Sequence, residues 1–115
     1  MVEKMIEDYL VKKIESLGGK CKKWACPGWS GVPDRIILMP QGKVFFVETK
    51  APLRKLRKRQ EFRKTQLEEL GFTVLVIDGK QKVDRLVESL ADGKHMHFKE
   101  KEFIDLRERI ENGKV

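Results

Sequence analysis

The stretch Pro33-Asp34-Arg35-Ile36-Ile37-Leu38-Met39-Pro40-Gln41-Gly42-Lys43-Val44-Phe45-Phe46-Val47-Glu48-Thr49-Lys50 decides the fold. Apolar runs at 36–39 and 44–47 flank Pro40-Gln41-Gly42, and a break of that composition reads as a tight turn between antiparallel strands. The first strand opens at Asp34. The second covers 43–50, and its unbroken apolar centre marks a central strand covered on both faces. The hairpin sets Asp34, at the start of one strand, beside Glu48 near the end of its neighbour. Two carboxylates that converge must repel, share a proton or bind a cation. Side chains alternate along a strand, so Glu48 and Lys50 share a face and Thr49 points to the other.

Outward on the N-terminal side, Pro27, Gly28, Ser30, Gly31 and Pro33 mark a loop, preceded by a short strand over 20–26. Val2, Met5, Ile6, Leu10, Ile14 and Leu17 recur at helical spacing over 2–17, and Gly18-Gly19 stops that helix. On the C-terminal side, a strongly basic helix is expected over 56–70, ended by Gly71, and an apolar strand over 72–77. After Asp78-Gly79, Val83, Leu86, Val87 and Leu90 share one face of a helix over 81–90. The strand–helix–strand unit over 43–77 implies a right-handed parallel crossover. The order αβββαβα is that of an α/β domain, a mixed β-sheet flanked by helices.

A core over 1–92 accounts for this pattern, and 93–115 form an extension. Residues 93–100 read as a connector. Phe103, Ile104, Leu106 and Ile110 then line one face of a C-terminal helix that ends at Asn112-Gly113. That helix packs on the core or on a second subunit; the spacing leaves both open.

The 115 residues suit one domain, and 40% hydrophobic content excludes wholesale disorder. Lys and Arg number 25 against 18 Asp and Glu, a net charge of +7 that favours a polyanionic partner such as nucleic acid or an anionic membrane surface. MVEKMIEDYL is too acidic for a signal peptide, and no apolar run approaches the ~20 residues of a membrane span, so a soluble cytoplasmic protein is expected. Cys21 and Cys26 lack a second pair for zinc, with His95 and His97 far along the chain. Their odd spacing on a strand argues against a local disulfide, and structural or incidental thiols suit a reducing compartment.

The converging ends of the hairpin carry the chemistry. Mg²⁺ or Mn²⁺ takes oxygen ligands, typically a couple of carboxylates with water and substrate phosphate, and Thr49 can add its backbone carbonyl. Lys50 can meet a phosphate oxygen or the attacking water, which completes the parts for phosphodiester hydrolysis. A lone Glu-x-Lys is common and carries little. Pro33-Asp34 before one strand, Glu48-Thr49-Lys50 at the end of the next and a basic helix just beyond form a far more specific set. Arg54, Lys55, Arg57, Lys58, Arg59, Arg63 and Lys64 begin four residues past Lys50. Basic groups at a helix N-terminus oppose the helix dipole, a small cost that bound phosphates would offset; a solvated basic face is the plainer alternative. Ser30 and Trp29 lie in the loop before Asp34, where Trp29 either stacks on a base or folds back onto the core. Trp24 reads as core.

Over roughly residues 1–90 the sequence resembles the virus-type replication-repair nuclease domain, a branch of the PD-(D/E)xK superfamily related to Holliday-junction resolvases and type II restriction enzymes. The matching segments are Gly31-Val32-Pro33-Asp34-Arg35, Phe46-Val47-Glu48-Thr49-Lys50, Gln60 and Gly71-Phe72-Thr73-Val74. The resemblance implies a restriction-endonuclease-like core with Asp34 and Glu48 on a metal ion, Lys50 as the catalytic lysine and Gln60 beside the site. It also implies a glutamate on the first helix: Glu7, with Glu3 one turn earlier as the alternative. The segment before Gln60 departs from the family, with Lys58 and Arg59 where a Ser or Thr is frequent. Likeness to stand-alone phage members implies branched DNA, such as a four-way junction, cut by a homodimer in the cytoplasm of a bacterial host. A non-cleaving nucleic-acid-binding module of the same fold and an RNA-directed nuclease are the competing readings.

Overall fold

Ile6, Leu10 and Ile14 recur every four residues along α1 (Val2–Ser16) and form its buried stripe. The structure, a computed structural model, describes residues 2–92. Contacts divide the chain into two compact units, residues 1–84 and 85–115. The described part of the second unit is the C-terminal half of the last helix, and the sequence-predicted helix around 103–110 lies outside the described residues.

α1 ends in a Schellman motif. Gly18, at φ 83°, supplies the left-handed turn, and the Gly19 and Gly18 amides donate to the Ile14 and Glu15 carbonyls at 3.1 and 3.0 Å. A Cβ on Gly19 would lie 3.0 Å from the Leu38 carbonyl oxygen and 2.5 Å from Met39 Sδ, so the chain re-enters the sheet through a tight gap.

Three short strands follow: β1 (Lys20–Lys23), β2 (Arg35–Met39) and β3 (Lys43–Thr49), with a single 3-10 turn at Pro40–Gly42 between the last two. α2 (Lys58–Glu69), β4 (Thr73–Ile77) and α3 (Lys80–Asp92) complete the described chain. The sheet order is β1-β2-β3-β4, antiparallel except for the parallel β3–β4 pair across α2. This is the expected mixed sheet flanked by helices.

Two expected elements are shorter by more than one residue in the fold. The strand expected to reach Cys26 stops at Lys23, although the Trp24 amide still donates to the Asp34 carbonyl at 2.9 Å. Both thiols are free, Cys21 buried and Cys26 past the strand end. The helix expected from 56 begins at Lys58, because Arg57 is extended at φ −73°, ψ 158°.

β3 runs through the core, with Phe45, Phe46, Val47, Glu48 and Thr49 all buried. One face centres on Phe46, which lies between Ile36 and Val74 in register and packs with Leu67 of α2. Trp24 and Trp29 close over this cluster, Trp24 with its ring 4.6 Å from Phe46. Residues of odd number, Ile37, Phe45 and Val47, form the other face, where α1 packs. Each such aliphatic or aromatic side chain contributes ~1.5–3 kcal/mol on burial, and together they fix the sheet end where β2 begins and β3 finishes.

Candidate active site

The β2–β3 register pairs Arg35 with Val47, so the next step sets Asp34 opposite Glu48. Backbone and side chains interlock there. The Asp34 amide donates to Glu48 Oε1 at 3.2 Å, while the Thr49 amide donates to Asp34 Oδ1 at 3.2 Å. The Thr49 hydroxyl donates to Asp34 Oδ2 at 2.7 Å. Alternation along β3 sends Thr49 to the face opposite Glu48, and the Asp34 carboxylate turns toward Thr49. Sequence reasoning gave Thr49 only a carbonyl role; its buried hydroxyl is what orients the aspartate.

Glu48 is held from the other side. Gln60 Nε2 donates to Glu48 Oε2 at 3.0 Å, and Lys50 Nζ lies 3.7 Å from the same oxygen. The Gln60 amide oxygen accepts the Arg57 amide at 2.9 Å, one of the free donors at the start of α2. Gln60 therefore caps the helix and supports Glu48 at once. The side chains of Lys50 and Glu48 are 14% and 9% exposed, a nearly desolvated pair at the end of β3.

Burial is the main reason that both carboxyls resist ionisation. Glu48 is pushed up to about 7 by burial and then by the Asp34 charge, with Lys50 and the Asp34 amide pulling it back. Asp34 is raised by burial, against which its two bonds from Thr49 act. Glu7 raises it further and Arg35 opposes. Glu7 itself pairs with Arg35, Oε1 to Nε at 3.5 Å, with the two side chains 19% and 12% exposed. Arg35, missed as a functional residue from sequence, thus ties α1 to β2 beside Asp34; its place next to Asp34 was the available signal.

Among the described residues no group of three or more His, Cys, Asp or Glu forms a ready metal cluster. The donor chemistry nevertheless suits a hard cation. An ionised carboxylate offers about four lone-pair sites, and the bonds from Thr49 leave Asp34 with acceptor capacity. Asp34, Glu48 and the Thr49 carbonyl are oxygen donors of the kind that a hard ion keeping several waters takes.

An open groove of about 360 Å³ adjoins the pair, lined by Glu3, Lys50, Ala51, Arg54, Lys55 and Arg57. Arg54, Lys55, Arg57 and Lys58 are exposed. Arg59 and Arg63 are engaged within the fold. Arg59 donates to Ser30 Oγ at 2.8 Å, and Arg63 donates to the Ser30 carbonyl at 2.8 Å. The Arg63 guanidinium also stacks 4.7 Å above the Trp29 ring. Ser30 and Trp29 are accordingly folded against α2, with Trp29 on the core cluster.

No protein-family model matches the sequence. "Putative nuclease p44" of Acyrthosiphon pisum secondary endosymbiont phage 1 is 41% identical over 78 residues, 68% of this chain and 84% of that protein. A solved structure described as "VRR_NUC domain" superposes with a TM-score of 0.73 at 30% identity, covering 76% of this chain and 96% of the other. Among the described residues no helix is long and apolar enough to cross a membrane. With the fold and the phage relative in agreement, the chain belongs to the virus-type replication-repair nuclease family.

Proposed function

We propose that this nuclease is a metal-dependent endonuclease that hydrolyses DNA phosphodiester bonds, with branched DNA such as a four-way junction as substrate. The observation that carries the reading is Asp34 set opposite Glu48 with Lys50 Nζ 3.7 Å from Glu48 Oε2, beside a groove bordered by Arg54, Lys55 and Arg57. Asp34, Glu48 and the Thr49 carbonyl would hold Mg²⁺ or Mn²⁺. When bound, such an ion lowers the pKa of water and neutralises charge on the scissile phosphate. Lys50 exchanges its contact with Glu48 for a phosphate oxygen and stabilises the charge that builds there. Gln60 keeps Glu48 in place, and Glu7 acts through Arg35 and Asp34. Arg54, Lys55, Arg57 and Lys58 grip the flanking backbone, while Arg59 and Arg63 hold the Ser30 loop against α2. Branch selectivity follows the likeness to stand-alone phage members; a two-fold dimer would supply the paired sites that symmetric cutting requires.

The test is parallel cleavage of labelled junction, flap and duplex DNA and of RNA, with Mg²⁺, Mn²⁺ or chelator. The expected outcome is junction cutting that needs a divalent ion and falls about a hundredfold or more in Glu48→Ala and Lys50→Ala. Binding without cleavage on every substrate would support a non-cleaving module instead, and cleavage of RNA alone an RNA-directed nuclease.

A further inference from the structure

Three residues past Lys50, the chain makes a turn that has no structural need for its most prominent side chain. The Arg54 amide donates to the Ala51 carbonyl at 3.1 Å, closing a four-residue turn with Pro52 and Leu53 at its corners. Leu53 has φ 68°, the left-handed region that a turn of this kind reserves for Gly or Asn. A leucine there is strained relative to glycine, because its Cβ crowds the neighbouring backbone. The side chain is also 95% exposed, so no packing within the described residues offsets that cost. Pro52 fixes its own φ and stiffens the turn, which holds Leu53 outward instead of letting it fold back. The backbone strain at Leu53 is therefore uncompensated in the free protein, and its side chain stands clear of the surface.

The surroundings identify what would take this side chain. Ala51 and Arg54, on either side of the Pro52-Leu53 corner, line the groove with Lys50, Lys55 and Arg57. With four cations against Glu3 on its lining, the groove suits a polyanionic partner, and Leu53 would require that partner to accept an aliphatic wedge. A nucleic acid meets both demands, since phosphates lie outside and apolar base faces within the stack. Leu53 lies at most about 11 Å along the chain from Lys50, and stacked bases rise about 3.4 Å each. The leucine therefore reaches a base step within about three nucleotides of a phosphate at Lys50.

We propose that Leu53 is an intercalating wedge, inserted between adjacent bases of the nucleic acid near the scissile bond to unstack them and fix where the strand is cut. The proposal rests on the nuclease reading of the same site and adds a specificity-determining residue to it. Apolar wedges open base steps at a cost that is smallest where stacking is already broken, as at a branch point.

The experiment uses the full chain with four-way junctions and matched duplexes that carry 2-aminopurine at successive positions around the cut. Ca²⁺ replaces Mg²⁺, and anisotropy follows binding in parallel. The wild type is expected to raise 2-aminopurine fluorescence at one step within three nucleotides of the cut. Leu53→Asn keeps the size and tolerates the positive φ, so it should fold at least as stably, bind within about threefold and lose the fluorescence rise. Leu53→Met should retain it. With Mg²⁺, Leu53→Asn should cut about tenfold more slowly or at scattered positions. A fluorescence rise unchanged in Leu53→Asn, or absent in the wild type despite cleavage, overturns the wedge and leaves the nuclease reading standing. A Leu53→Asn protein that changes oligomeric state in sedimentation places the leucine in a protein contact and also overturns it. Failure of the wild type to bind or cut any substrate overturns both readings.

Discussion

Among the described carboxyls, Glu48 is the one whose charge burial opposes most. Burial pushes its carboxyl up to about 7 in the folded chain from an ordinary 4.5. Between those values the folded state keeps a proton that the unfolded state has released. Stability therefore falls as pH rises through this window, and the full deficit, on the order of 3 kcal/mol, is present above it. The expected measurement is a melting temperature that declines from pH 5 to pH 8, with a flatter profile in Glu48→Gln. Mg²⁺ at pH 8 should raise the wild-type melting point and leave the variant nearly unmoved, since binding to the folded state alone stabilises it. A wild-type melting point that climbs across the window would show that Glu48 is not the strained acid of this site. The two glutamates of α1 separate in the same terms. Glu7 is largely buried against Arg35 and acts on the Asp34 charge, whereas Glu3 lines the groove and acts more weakly on the Glu48 charge. Glu7→Gln should lower cleavage about tenfold or more and Glu3→Gln much less; the reverse order would transfer the role to Glu3.

At the level of elements, the site depends on the loop between β1 and β2 as much as on the strands. Gly31, at φ 84°, lies so close to α2 that a Cβ would sit 2.8 Å from the Arg59 carbonyl oxygen. Gly31→Ala meets an unfavourable φ and a backbone clash together, and should cost ~1–3 kcal/mol. Because Pro33-Asp34 follow directly, cleavage should drop as well, and denaturant unfolding with a cleavage assay checks both. Unchanged stability would mean that the loop is free to move off α2. The hairpin was legible from sequence because it is local: the apolar runs and the Pro40-Gln41-Gly42 turn fix the register, and register brings Asp34 opposite Glu48. Alternation also separated Thr49 from Glu48 correctly. The turn of the Asp34 carboxylate toward Thr49 was not legible, since it depends on the chain bending just before β2. Nor was the fate of Arg59 and Arg63. A run of cations on a helix looks the same whether it faces phosphates or a loop folded back from 29 and 33 residues earlier. Long-range contacts of this kind leave no periodic trace.

For the whole molecule, the net charge of +7 is a weak guide until it is divided by what each cation does. Lys64 pairs with Glu68, Lys82 with Asp78 and Lys4 with Asp8, so these exposed pairs cancel locally. Arg59 and Arg63 are committed to Ser30 and Trp29. The groove that holds Lys50 retains Arg54, Lys55 and Arg57 on its wall, three charges within a few residues of the site. If these meet phosphates, each releases about one counterion on binding, and the slope of log K against log salt carries ~0.9 per contact on duplex DNA. The triple variant Arg54→Ala, Lys55→Ala, Arg57→Ala should therefore flatten the slope by about 3 and weaken binding most at low salt. Arg59→Ala, by contrast, should act chiefly through the Ser30 loop: stability declines while the slope changes little. Titrations from 50 to 300 mM salt, an interval of about that size being enough to resolve the slope, distinguish the two patterns. A triple variant with the wild-type slope would mean that these cations form a solvated face and that the phosphates run elsewhere.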